Sequence, residues 1–243
     1  MKLKFLQDAK CLREVLSAVP TTDQVRSPIY LGGTAGMRVL NVTDPSAAAQ
    51  IIGNLSEALA KTPFDHSGGR TAEIVSGTTE GILGWITSNY LSNVFGTNES
   101  RPAPSSGGGF GALDWGGASS QITFEVGVGD GHFGPTEDVH ELSLYGKKYK
   151  IFTSSHLCYG QAEAVRRYFV ELIYERFLQT GRVPRTIIGA PCQPKGRRGV
   201  YTVRAKDLFG SPCTKYKDEV FMAAVEALDG NSTFTFRGQS NMR

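Results

Sequence analysis

The sequence predicts an α/β fold, and three kinds of stretch carry that prediction. Ile74-Val75 is a β-branched run that breaks at Ser76-Gly77. After the break Leu83, Ile86 (beside Trp85) and Tyr90 recur every three to four residues, as in a helix. Residues 112–126 and 141–154 each read as two short strands about a turn containing Gly. Residues 162–178 bury Val165, Phe169, Leu172, Ile173 and Phe177 on one helical face.

The remaining elements follow in chain order. Residues 5–18 read as a helix with Phe5, Leu6, Leu12, Val15 and Leu16 on one side, ending before Pro20. Ser27 to Leu31 reads as a short strand running into the Gly-rich turn 32–36, where small residues admit a close approach of backbone to another segment or a ligand. Asp44-Pro45-Ser46 opens a helix through Ile51, Ile52, Leu55 and Leu59, with Pro45 suited to its first position. Glu73 to Val75 is a strand, and Thr78 or Thr79 is expected to cap the helix that follows. Residues 96–111 lack a hydrophobic pattern and read as a loop. Pro- and Gly-rich turns are expected over 184–199, then a strand at Val200 to Arg204, a helix at Asp218 to Leu228 and a strand at Phe234 to Arg237.

Composition narrows the function. The chain has 243 residues, 40% hydrophobic and 20% charged, which suits one large core or two lobes and excludes a disordered chain. A net charge of +3 is too weak a bias to imply nucleic acid, and the basic run Lys195-Gly196-Arg197-Arg198 reads as a solvated loop. No apolar run approaches the roughly 18–20 residues that span a bilayer. The start of the chain, broken by Asp8, Lys10, Arg13 and Glu14, is no signal peptide. Four N-x-[ST] sequons, at Asn41, Asn54, Asn98 and Asn231, nevertheless suggest a secretory route. The two observations agree if Met1 is not the native N-terminus.

Several motifs fail on context. Gly129-Asp130-Gly131-His132-Phe133-Gly134 fits G-x-G-x-x-G but precedes Pro135 and a strand, whereas a dinucleotide loop opens a helix. The four histidines show no zinc spacing, and neither a phosphate-binding P-loop nor a G-x-S-x-G elbow occurs.

A constellation survives. The turns 32–36 and 116–119 are Gly-rich and carry hydroxyls, and convergent backbone N–H groups at such turns suit phosphate. Asp114 and Gln121 flank the second turn and offer a carboxylate and a carboxamide, oxygen ligands of the kind a hydrated Mg²⁺ or Ca²⁺ takes. Glu80 is the only charged side chain between Glu73 and Glu99. Alone it complements a helix dipole, worth about 0.3–1 kcal/mol. Beside a phosphate site it is a general base for water.

Long segments of the chain resemble the ecto-nucleoside triphosphate diphosphohydrolases, or apyrases. Tyr30 to Arg38 (with Gly33 where Ala is usual), Ser76 to Leu91 and Ala112 to Thr123 are similar to that family's second, third and fourth signature segments. His156 to Gly160 and Asp207 to Lys215 match as well. The resemblance implies a two-lobed actin-like (ribonuclease-H-like, ASKHA) fold, present in part, with residues 1–76 the remainder of a first lobe and 77–243 an incomplete second lobe. It implies removal of the terminal phosphate of extracellular nucleoside tri- and diphosphates with Ca²⁺ or Mg²⁺, without a phosphoenzyme. Glu80 would be the base and Thr34 would help position water or the terminal phosphate. Asp114 would hold the metal through water, and Ser119 and Gln121 would orient water and metal. Amides of Gly116, Gly117, Ala118 and Ser119 would cradle phosphate.

The resemblance also implies a Cys158–Cys213 disulfide, with Cys11 and Cys192 pairing outside the chain as given. The first and fifth signature segments are absent, so the chain reads as an internal fragment, inactive by itself, of a secreted or cell-surface protein whose membrane anchoring would lie in missing segments. Thr78 and Thr79 stand where acidic or amide residues are common, Trp115 where Leu is usual, and Gln161 where a basic residue often meets the base. A catalytically inactive nucleotide-binding or interaction protein of the same fold is the competing expectation. An exopolyphosphatase relative is disfavoured by the Thr-Ala-Gly-Met-Arg and Gly-Trp-Ile-Thr segments.

Overall fold

The computed structural model describes residues 10–68, 71–96, 109–127, 138–195 and 200–240. The loop expectation over 97–108, the sequon at Asn98, the Gly129–Gly134 segment and most of the basic run fall outside them. Contacts divide the chain into two units, residues 1–115 with 119–157, and 116–118 with 158–243; Ser76-Gly77 lies inside the first.

The first unit begins with α1 (Lys10–Ala18) and the short α2 (Thr21–Gln24). β1 (Leu31–Gly33) pairs in parallel with β2 (Ala72–Ile74), and the crossover between them holds α3 (Ala35–Thr43) and α4 (Pro45–Leu59). Asp44 caps α4 by accepting from the Ala47 N–H at 2.9 Å, and Pro45 stands at its start as expected. Two expectations change here. The strand read at 27–31 starts only at Leu31, whose N–H donates to the Thr71 carbonyl; Pro28, which has no N–H, makes an isolated bridge to Asp65. The Gly-rich stretch 32–36 is no turn, because Gly32 and Gly33 are extended and Ala35 already opens α3. Their smallness serves packing: a Cβ on Gly33 would lie 2.8 Å from Met37 Cγ, and one on Gly32 2.8 Å from Val75 Cγ2.

After β2 comes α5 (Gly77–Leu91). Its cap is Ser76, not Thr78 or Thr79: Ser76 is extended and its Oγ accepts from the Thr79 N–H at 3.0 Å. The buried stripe is Gly81, Trp85 and Asn89, at four-residue spacing, while Leu83 and Tyr90 are 52% and 50% exposed. Apolar periodicity misses this face because two of its three residues are small or polar. Gly81 is there because the helix lies against a hydroxyl-lined sheet. A Cβ would stand 2.7 Å from Thr123 Oγ1 and closer still to Thr153 Oγ1, which hydrogen-bond each other at 2.7 Å. Asn89 bonds both the carbonyl and N–H of Phe110, holding that loop to the helix.

The sheet under α5 has the order β3-β4-β6-β5, antiparallel throughout, from β3 (Ala112–Trp115), β4 (Ser119–Glu125), β5 (Val139–Leu144) and β6 (Lys147–Leu157). Both expected hairpins are present. Tyr145 and Gly146, with φ of 50° and 78°, form the two-residue turn whose positive φ values match strand twist. Trp85 is fully buried against Phe95 and Tyr149 with ring centroids 5.9 and 5.7 Å away, and Ile151 completes the small apolar core.

The second unit is built on α6 (Gln161–Thr180), ended by Gly181 in the left-handed region. Phe169, Val170, Ile173 and Phe177 are buried, whereas Val165, a turn nearer the N-terminus, is 46% exposed. They pack with a sheet of order β7-β9-β8 formed by β7 (Ile188–Pro194), β8 (Val200–Arg204) and β9 (Thr233–Ser240). β7 replaces the turns expected there. Its prolines argue against a central strand, but it lies at a sheet edge with an irregularity between Ala190 and Pro194, where missing donors are tolerated. α7 (Ala205–Phe209) and a 3₁₀ turn (Pro212–Thr214) lead to α8 (Glu219–Glu226), capped by Asp218. Phe221 on α8 is fully buried. Cys158 and Cys213 are disulfide-bonded with Cα atoms 5.3 Å apart, and Cys192 is a free, exposed thiol.

Candidate active site

The start of α5 sets the site of the first unit. Ser76 ends the extended strand and turns the chain, so Glu80 donates its N–H to the Ser76 carbonyl and its side chain leaves the first turn. Two strands supply the floor. Ser119 and Gln121 alternate on β4, and Gln121 is directly opposite Ser155 on β6 and Asp114 on β3, which places these side chains on one sheet face.

The cluster is hydrogen-bonded throughout. Gln121 Nε2 approaches Glu80 Oε2 at 3.1 Å, Ser119 Oγ at 2.8 Å and Ser155 Oγ at 2.9 Å. A carboxylate only accepts, so the amide presents its NH₂ to Glu80, and the two hydrogens serve two of these three acceptors at a time. Arg38, from α3, donates through Nη2 to Glu80 Oε2 at 2.7 Å and to Ser119 Oγ at 2.9 Å, and through Nη1 to the Val75 carbonyl at 2.8 Å. The Arg38 and Glu80 side chains are only 14% and 17% exposed. Both bonds to the carboxylate land on Oε2; among the described residues Oε1 takes none.

The structure thus brings Glu80, Ser119 and Gln121 together and adds Arg38 and Ser155, which sequence reasoning left without a role. Arg38 stood inside a matched segment, and a lone arginine two residues after the Ala35-Gly36 pair was its only signal. Asp114 shares the face of Gln121 but is exposed, and its carboxylate takes no hydrogen bond among the described residues. Thr34 is exposed at the β1–α3 junction and makes no side-chain capping bond.

A hydrated divalent ion fits these residues. Gln121 is 1% exposed, and its Oε1 is buried without a hydrogen-bond partner, an acceptor that a metal-bound water would satisfy. Among the described residues no group of three or more His, Cys, Asp or Glu could enclose an ion directly. A single carboxylate plus a carboxamide suits an ion that keeps most of its water.

The second unit contains the turn Gly116–Ala118. Its carbonyls face the start of α6: Gly116 O accepts from Gln161 N–H at 2.8 Å, Gly117 O from Ala162 and Glu163, and Ala118 O from Cys158 at 2.7 Å. Among the described residues the turn's own N–H groups donate no backbone bond. Gly160 is buried because a Cβ there would strike this turn.

Of the remaining sequons, Asn41 and Asn231 are exposed, the latter in the turn before β9, and Asn54 is half-buried within α4. No helix among the described residues is long and apolar enough to cross a membrane.

Comparison with known proteins places these features. The solved structure of nucleoside triphosphate hydrolases from Neospora caninum superposes with a TM-score of 0.53 at 17% identity, over 87% of this chain and 44% of that one, which makes the fold a part of an actin-like α/β fold. The chain belongs to the GDA1/CD39 (nucleoside phosphatase) family, whose sequence model matches residues 4–240. It is 36% identical over 241 residues to ectonucleoside triphosphate diphosphohydrolase 2 of Mus musculus, covering 96% of this chain and 42% of that protein. It is 37% identical over 226 residues to ectonucleoside triphosphate diphosphohydrolase 8 of Gallus gallus, covering 90% and 42%. The chain spans about two fifths of the length of the curated relatives it matches.

Proposed function

We propose that the protein carrying this chain hydrolyses the terminal phosphate of nucleoside tri- and diphosphates, using a water molecule held by Glu80. The observation that carries this reading is the one-sided hydrogen bonding of the Glu80 carboxylate: Arg38 and Gln121 fix Oε2, and Oε1 is left to accept a proton. Water gives that proton to Oε1 as its oxygen attacks the terminal phosphorus. The bond from phosphorus to the bridging oxygen breaks, and the shortened nucleotide leaves with that oxygen. No covalent intermediate is required. Family membership and the names of the relatives support this substrate class.

The other residues divide the remaining work. Ser119 Oγ and Gln121 orient the water, and Thr34 offers a hydroxyl to the water or the terminal phosphate. The amides of Gly116, Gly117, Ala118 and Ser119 take phosphate oxygens. Asp114 and the orphaned Gln121 Oε1 are proposed to hold Ca²⁺ or Mg²⁺ through its waters; when bound, the ion offsets negative charge on the transferred phosphate. The disulfide supports an oxidising, extracellular or secretory-lumen setting.

The test is phosphate release from ATP and ADP by the full-length protein with Ca²⁺ or Mg²⁺, in wild type and Glu80→Ala. The variant should lose roughly 10² or more in kcat while still binding nucleotide. Wild-type turnover in Glu80→Ala would refute the role of Glu80. Nucleotide binding without turnover in the wild type would establish the non-catalytic alternative.

A further inference from the structure

We infer that Arg38 is a positioning residue: it fixes which oxygen of Glu80 faces water and which way the Ser119 hydroxyl points. The inference rests on the proposed role of Glu80. Arg38 leaves α3 and joins three separate segments, accepting partners being the Val75 carbonyl before the Ser76 break, Glu80 Oε2 in the first turn of α5, and Ser119 Oγ at the start of β4. Both hydrogens of Nη2 are spent on Glu80 and Ser119, while Nη1 reaches Val75, so these nitrogens act on protein acceptors.

The consequence for Ser119 follows from counting lone pairs. Its Oγ accepts from Arg38 Nη2 at 2.9 Å and from Gln121 Nε2 at 2.8 Å. A hydroxyl has two acceptor positions and one hydrogen. Whenever the Gln121 amide gives Ser119 one of its two hydrogens, both positions are filled and the Ser119 O–H donates to something other than these two side chains; a water or phosphate oxygen is the partner suited to it. Without Arg38 the carboxylate would lose the charged and shorter of its two restraints, at 2.7 Å against 3.1 Å from Gln121 Nε2.

Geometry also distinguishes Arg from Lys at this position. Val75 O is served by Nη1, and Glu80 and Ser119 by Nη2, a planar fork that a single ammonium nitrogen cannot reproduce. Charge alone is therefore insufficient.

The test uses full-length protein and reads kcat and KM separately. Arg38→Ala should lower kcat by roughly 10²-fold, the scale of a small misplacement, and change KM by less than about threefold. Millimolar guanidinium should restore activity to Arg38→Ala, and Arg38→Lys should recover less than the guanidinium does. In a Glu80→Ala background, adding Arg38→Ala should cost less than about threefold more, because the residue acts through Glu80. A raised KM at unchanged kcat would make Arg38 a substrate contact and overturn the inference, as would equal losses in both backgrounds. If the wild type shows no turnover, the functional reading fails on its own. The clamp is then read from melting: millimolar guanidinium should raise the melting temperature of Arg38→Ala and not of wild type, and absence of that difference refutes it.

Discussion

Replacing Gly160 by Ala tests how α6 is held. The φ of Gly160 is −73°, so alanine meets no backbone strain there, and the whole effect is steric. The added Cβ would lie 2.5 Å from the Gly117 carbonyl carbon and 2.6 Å from the Gly116 oxygen, and closer still to the Ala118 nitrogen. Ordinary contact begins at 3.4 Å, so turn and helix must part by at least about 0.9 Å. Every atom struck is backbone, which cannot rotate away.

The four bonds crossing this gap, from Cys158, Gln161, Ala162 and Glu163 to the turn carbonyls, are 2.7–3.2 Å long. Lengthened by that amount, all four would pass 3.5 Å and cease to be hydrogen bonds. At about 0.5–1.5 kcal/mol net for each of the four bonds, the cost is about 2–6 kcal/mol. The assay is urea unfolding, with the midpoint falling at constant slope. Gly53→Ala is the control: nothing lies within 4 Å of its Cβ inside α4, and it should gain about 0.5–1 kcal/mol. If Gly160→Ala stays within about 0.5 kcal/mol of wild type, below the cost of a single bond, the close approach is not structural.

Two further outcomes follow from the second unit. The Cys158–Cys213 bridge closes a span of 55 residues, so Cys158→Ser should lose about 4 kcal/mol by the loop-entropy relation, read as a urea midpoint; a loss below about 1 kcal/mol would show the unfolded chain is not restrained by the bridge. Asp207 has its pKa lowered from 3.8, first by the hydrogen bond from Arg204, which reaches both carboxylate oxygens at 2.7 and 3.2 Å. A depressed carboxylate contributes stability above its unfolded pKa and loses it as pH falls through the lower folded value. Wild type should therefore lose more stability than Asp207→Asn on acidification below about pH 4 at low salt, and parallel pH curves would refute the pairing.

Much of the architecture was legible from local chemistry. Asp44-Pro45, the glycine at 146 and the apolar spacing of Phe169, Ile173 and Phe177 act through their own chain neighbourhood, and the elements they predict are present. The strands and caps that were misplaced depend on partners far along the chain. β7 is a strand because β9 pairs with it, and Gly32-Gly33 is extended because β2 lies alongside. The buried face of α5 was missed because hydroxyls of Thr123 and Thr153, more than forty residues on, take up its glycine.

The site divides the same way. Residue types made Glu80, Asp114 and Gln121 candidates only in combination, since alone a glutamate at a helix start complements the dipole and a Gly-rich stretch is a tight turn; the role of Ser119 came from the resemblance. No local pattern showed that Arg38 meets Glu80 across 42 residues and Ser119 across 81, or that Gln121 keeps one oxygen buried and unpaired. Those facts set which carboxylate oxygen is free, and they arise only where three segments converge, because a hydrogen bond depends on where its atoms lie in space and periodicity records only their order along the chain.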